Sequence, residues 1–418
     1  MKWSTNVFYT MSLVLMFFVT GCGGGGDDSS STPTPIPTPI DESNLTVART
    51  LSVAPLTDDS TVTVASGYFA LKDDAPVNEA LVPYFQGDVN GTYVTDILQD
   101  ASIKFTVDVP DDPATYGSYA GTQLTYVGFI FYPTKYDANY SASQTISGWE
   151  HPSTYTQMES SVDATPIFKD ENVKYPLLVQ SHGSNGEIVT AGHLIKTFAS
   201  HEYVVVSLFY GDTRFSNDSN EVTTLRPLAA KKVIDFLENS KYADHIDFTK
   251  IGAFGNSFGG TTSFMLIGAK PIDVVTKDGN VVANTVEDSR IVVAGGIEPY
   301  MGDESGIYPK INNTQVTFFG YDSRGATSLN APYLAVSGSN DTVAAESFTK
   351  IVLEKLPKNN HLVSMEGETH DMTADGAKTA DTWVYYFLNY SLKGDDTFLK
   401  MKEVSGDPVD TYIYLENE

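Results

Sequence analysis

Cysteine is nearly missing from this chain. Cys22 is the only one in 418 residues, so no disulfide can form within the chain and no Cys/His cluster stands at metal-ligand spacing. Positive charge is also scarce, with 26 Lys+Arg against 53 Asp+Glu and a formal net charge of −27. Such a surface repels phosphate backbones and anionic headgroups, which excludes a nucleic-acid role. There is no solenoid or propeller repeat and no phosphate-binding loop, so no metal and no organic cofactor is implied. What is present is core-forming material: hydrophobic residues make up 41% and aromatics 12%, enough for one large α/β domain with additions or for two domains.

The N-terminus reads as an address. Lys2 supplies a positive start, and an apolar run from Val7 to Thr20 follows, short of the ~20 residues a spanning helix needs. It ends in Val19-Thr20-Gly21-Cys22. Small residues followed by cysteine resemble the lipobox of bacterial lipoproteins. That resemblance implies a signal peptide over 1–21, acylation at Cys22, export, and a lipid anchor in a membrane. Gly23 after the cysteine, by the same resemblance, points to the outer membrane. Residues 22–41 are rich in Gly, Ser, Thr and Pro, a tether without packed structure.

Residues 42–100 read as a β-rich extension, and residues 101–418 as the main domain. Ile103 to Val109 alternates at period two, and Leu124 to Tyr132 is a long β-branched and aromatic run; both predict antiparallel first strands. A polar insertion covers 134–173. From Tyr175 the rhythm becomes strand, loop, helix. Strands are expected at 176–180, 203–208, 251–254, 291–294, 333–336 and 362–365, with helices at 190–201, 227–240 and about 382–391. Buried parallel strands alternating with helices predict an α/β fold, a mostly parallel sheet covered on both faces. A ligand belongs at the C-terminal ends of such strands.

Chemistry concentrates at Gly255-Asn256-Ser257-Phe258-Gly259-Gly260. This G-x-S-x-G motif lies between a short apolar strand and an apolar helical run, the setting of a nucleophile elbow. A plain strand-to-helix turn capped by the serine is the competing reading. A serine nucleophile needs a base. Of seven histidines, only His361 and His370 follow the other candidates in the order serine, acid, base. His361 opens a strand, whereas His370 sits in the loop after the last predicted one, so His370 is the favoured base. Asp341, on the Gly338-Ser339-Asn340-Asp341 loop after strand 333–336, is the favoured acid, and it also suits a helix N-cap. Glu298, one strand earlier, is the alternative acid. An oxyanion hole needs two backbone N–H groups. Phe258, after the nucleophile, supplies one. Ser184, on the loop Ser181-His182-Gly183-Ser184, supplies the other. His182 reads as a structural residue.

Several pieces together resemble the α/β-hydrolases of the dienelactone-hydrolase and platelet-activating-factor-acetylhydrolase-like branch. They are Tyr175 to Gly183, Arg226-Pro227, Ile246 to Gly260, Gly338 to Asp341 and Gly367 to His370. The resemblance implies an α/β-hydrolase fold with Ser257 as nucleophile, Asp341 as acid and His370 as base. It implies hydrolysis of a small-molecule or lipid-like carboxylic ester through an acyl-enzyme. Asn256 departs from the histidine usual at its position. Lipase, phospholipase-like or polyester-cleaving activity is the nearest alternative, and a binding lipoprotein on an inactive hydrolase fold is the non-enzymatic one.

Overall fold

The structure, a computed structural model, describes residues 62–66, 103–135, 143–144, 158–159, 168–184, 192–212, 219–271, 286–303, 310–311, 314–356, 359–403 and 410–415. The signal peptide, Cys22, the tether, nearly all of the 42–100 extension and most of the 134–173 insertion lie outside the described residues. Among the described residues, no helix is long and apolar enough to cross a membrane. The chain divides into two compact units that part between Ile251 and Gly252.

The first unit begins with β1 (Val62–Ser66), β2 (Ile103–Asp108) and β3 (Gln123–Lys135). β1 and β2 both pair antiparallel with β3. The period-two pattern is the cause at β2: Phe105 and Val107 are buried while Thr106 and Asp108 face solvent. β4 (Tyr175–Ser181), helix α1 (Gly192–Ser200) and β5 (Val204–Phe209) follow. β5 pairs antiparallel with β3 and parallel with β4. Every residue of β4 and β5 is buried, the signature of strands covered on both faces.

Helix α2 spans Ser219–Glu238 with Pro227 inside it, so it starts eight residues before the expected 227. Proline normally marks a helix start because it lacks an N–H and crowds the carbonyl four residues back. Here the neighbouring Arg226 is buried and bonded to Asp212 and to the carbonyls of His182 and Gly183. Those tertiary bonds offset the one lost at Pro227.

Strand β6 (Ile246–Asn256) runs from the first unit into the second. The second unit continues with helix α3 (Phe258–Leu266), β7 (Ile291–Ile297), β8 (Tyr333–Gly338), helix α4 (Glu346–Leu353) and β9 (Asn360–Met365). Helices α5 (Ala374–Lys393) and α6 (Thr397–Glu403) and strand β10 (Asp410–Leu415) close it. β8 pairs parallel with both β7 and β9, and β10 adds antiparallel to β9. Parallel strands alternating with helices in both units make the chain α/β. Helix α5 starts eight residues before the expected 382 because Thr373 caps it. The Thr373 hydroxyl accepts the Gly376 N–H at 3.1 Å and donates to Glu368 at 2.6 Å.

Candidate active site

Ser257 stands between β6 and α3 with φ 51° and ψ −122°. An L-residue adopts this backbone region only under strain, and such strain clusters at functional turns. Three backbone hydrogen bonds hold it. The Ser257 N–H donates to the Ile297 carbonyl at 2.8 Å, and the Ser257 carbonyl accepts from Thr261 N–H at 3.2 Å and Tyr300 N–H at 3.3 Å. The side chain makes no capping bond to the helix, which removes the reading of Ser257 as a capping serine. Phe258 opens α3, so its N–H points out of the helix end.

The extra glycine of the motif explains how closely α3 approaches β7. A Cβ on Gly260 would lie 3.1 Å from Gly296 Cα, and one on Gly296 would meet the Tyr333 hydroxyl. That hydroxyl donates to the Gly260 carbonyl at 3.0 Å. Helix and strand meet backbone to backbone.

The candidate acid and base come from the loops after β8 and β9. His370 Nδ1 lies 2.8 Å from Asp341 Oδ2. Asp341 Oδ1 accepts the N–H groups of Val343 and Ala344 at 2.7 and 2.8 Å. Asp341 therefore holds a bend rather than capping a helix as the sequence suggested, because α4 begins only at Glu346 with Ala345 as its N-cap. The two loops are stitched together. Asn340 N–H donates to the Glu368 carbonyl at 2.9 Å, and Gly367 N–H to Ser339 Oγ at 2.8 Å. Gly338 lies so close to the base loop that a Cβ there would fall 2.4 Å from the Glu368 carbonyl oxygen. Glu368 was not singled out from the sequence; a glutamate five residues ahead of a capping threonine was the available signal. Ser257 Oγ and His370 Nε2 share no hydrogen bond among the described residues. Serine–base contacts of this kind commonly tighten only with substrate in place.

Glu298, the alternative acid, is brought to the same histidine: its Oε2 lies 3.9 Å from His370 Nδ1. Burial, followed by the charges of Asp341 and Asp371, pushes the Glu298 carboxyl well above its ordinary value, against the pull of an Asn256 side-chain hydrogen bond. Glu298, Asp341 and His370 each place one donor atom within 4.8 Å of the others, a spacing a divalent cation can also span. The bonds already made favour an acid–base pair, since Asp341 is filled by two backbone N–H groups and the imidazole.

In the first unit, Ser184 follows β4 two residues beyond His182. His182 is fully buried. Its Nδ1–H donates to the Gly183 carbonyl at 2.7 Å, and its Nε2 accepts Tyr210 N–H at 3.1 Å. Burial and the nearby Arg226 charge lower its pKa to about 4, so it is a neutral structural residue, as expected. His361 lies within β9, its ring against Phe387 and Phe398, and burial lowers its pKa to about 3.

A scan against protein-family models finds no match for this chain, and no curated protein matches it.

Proposed function

We propose that this chain is a serine esterase on an α/β-hydrolase fold, with Ser257 as nucleophile, His370 as base and Asp341 as acid. The observation that carries the reading is the 2.8 Å bond between His370 Nδ1 and Asp341 Oδ2 in the unit that holds Ser257 in a strained elbow. With its Nδ1–H given to Asp341, His370 keeps the Nε2 lone pair for the serine proton.

Ser257 Oγ bonds to the ester carbonyl carbon while its proton passes to His370 Nε2. The carbonyl oxygen becomes an oxyanion, stabilised by the N–H of Phe258 at the start of α3. The C–O bond to the alcohol breaks, and the alcohol leaves with the proton from His370. Water then gives its proton to His370, attacks the acyl carbon, and releases the carboxylic acid and free serine.

Cys22 and the tether behind it support a lipid-anchored protein exported to the outer membrane, with the membrane as support rather than substrate. Lipase-like, phospholipase-like and polyester-cleaving activities differ from the esterase only in the ester accepted.

The test is hydrolysis of p-nitrophenyl esters from acetate to palmitate by the full chain and by Ser257→Ala, with fluorophosphonate labelling of both. Hydrolysis and labelling lost together in the variant support the esterase, and the chain-length optimum separates small-ester from lipase-like action. A wild type inert to both leaves the binding lipoprotein as the better account.

A further inference from the structure

A second carboxyl group faces the base, and nothing in the triad requires it. Glu298 is almost wholly buried, and its Oε1 has no hydrogen-bond partner. Its backbone sits at φ 49°, a region that disfavours any side chain but would suit glycine. Its N–H is pinned to the Val336 carbonyl at 2.6 Å, and the preceding carbonyl, of Ile297, takes the Ser257 N–H. Glu298 is thus strained, buried and built into the elbow's own hydrogen bonding. A residue kept under such costs points to a task at the site.

We propose that Glu298 is a positioning residue that stands beside His370 as a neutral carboxylic acid, leaving Asp341 as the one carboxylate that faces the base. This rests on the esterase reading above. The two carboxyl groups differ in what they accept. Asp341 takes three N–H donors, the pattern of an ion. Glu298 takes the Asn256 side chain and leaves Oε1 bare, which an ion would not tolerate when buried. The groups facing Glu298 are Asp341 after β8, Glu368, His370 and Asp371 after β9, and neutral Asn256 at the end of β6. Three of the four titratable groups are acidic, so a proton on Glu298 relieves their repulsion. It also protects the mechanism. A second negative charge 3.9 Å from Nδ1 would favour imidazolium in the resting state and occupy the lone pair that must take the serine proton.

Glu298→Gln keeps shape and neutrality and decides the matter. In wild type, the unfolded chain releases this proton near the ordinary value of 4.5, whereas the folded chain keeps it to well above that. Wild-type stability therefore falls as pH rises from about 4.5, and the variant is spared that fall. The expected result is a melting temperature of Glu298→Gln that gains on wild type between about pH 5 and pH 8. The kcat/KM profile of Glu298→Gln departs from wild type on the alkaline side, where wild type ionises this carboxyl and the variant cannot, whereas Asp341→Asn loses about 10⁴-fold at neutral pH as well. A melting difference that does not change with pH overturns the proposal. So does a loss in Glu298→Gln comparable to that of Asp341→Asn, or activity lost on chelation and restored by a divalent cation. Carboxyl-carbon NMR of glutamate-labelled wild type reads the same proton without a variant. One glutamate must remain protonated near neutral pH, and if every glutamate ionises below about pH 6 the proposal is wrong. If the wild type hydrolyses no ester, the esterase reading fails, while the melting and NMR results still decide the state of Glu298.

Discussion

Asp341 divides its carboxylate between His370 and its own chain. Oδ2 lies 2.8 Å from His370 Nδ1, while Oδ1 accepts Val343 and Ala344 N–H at 2.7 and 2.8 Å. One side chain thus bonds the His370 ring and pins its own loop. The two duties can be separated, because asparagine retains an acceptor oxygen and alanine does not.

Asp341→Asn is expected to keep the melting temperature and to lower kcat by about 10⁴-fold, because the amide N–H₂ forces the imidazole proton onto Nε2. Asp341→Ala should lose the activity and about 1 kcal/mol of stability as well. Ester kinetics and thermal melts of the two variants check this. An asparagine variant with near-normal turnover would remove Asp341 from the proposed triad.

Gly338→Ala tests the stitching of acid and base loops. Its Cβ would fall 2.4 Å from the Glu368 carbonyl oxygen and 2.7 Å from that carbonyl's carbon, so the backbone ahead of His370 has to move. A shift on this scale should lower kcat by about 10²-fold and stability by about 1–3 kcal/mol. Gly367→Ala is the control. Gly367 has φ +79° but open space where a Cβ would stand, so it should lose stability through backbone strain alone. Equal activity losses in the two variants would mean that the contact does not position the base.

The buried histidines set an acid limit on stability. His182 is lowered to about 4 and His361 to about 3, both from 6.5. The unfolded chain therefore takes up protons that the folded one refuses as pH falls below about 6.5. The stabilisation is full above that value and is lost as pH falls toward about 4 for His182 and about 3 for His361, on the order of 3 and 5 kcal/mol respectively. Denaturant melts at falling pH should show it, and His361→Gln should flatten its share. Equal slopes in wild type and variant would mean that His361 titrates alike in both states.

Local signals made the strands and the elbow legible. Ser257 announced itself because its glycines, its strand and its helix are all neighbours in sequence. Asp341 and His370 followed from their loops after apolar runs. Long-range contacts hid the rest. No pattern near Pro227 shows that Arg226 reaches Asp212 and the His182 and Gly183 carbonyls, so the start of α2 was misplaced. Nothing in Gly338-Ser339-Asn340 discloses the Glu368 carbonyl above it. Glu298 could be weighed as an acid, but its burial and left-handed backbone come from neighbours on β6, β8 and β9. Strand β10 carries a strand-favouring run, Thr411 to Tyr414, and only its antiparallel place beside β9 needed the structure to be seen.

The contact of Gly260 with Gly296 bears on how this protein could change over time. No Cβ fits between the two glycines, so close backbone contact, with the Tyr333 hydroxyl beside it, sets how near α3 comes to β7. Changes in the loops around the site leave this helix–strand contact, and the turn at Ser257 beside it, untouched. A side chain at either glycine would have to move the main chain that carries Ser257.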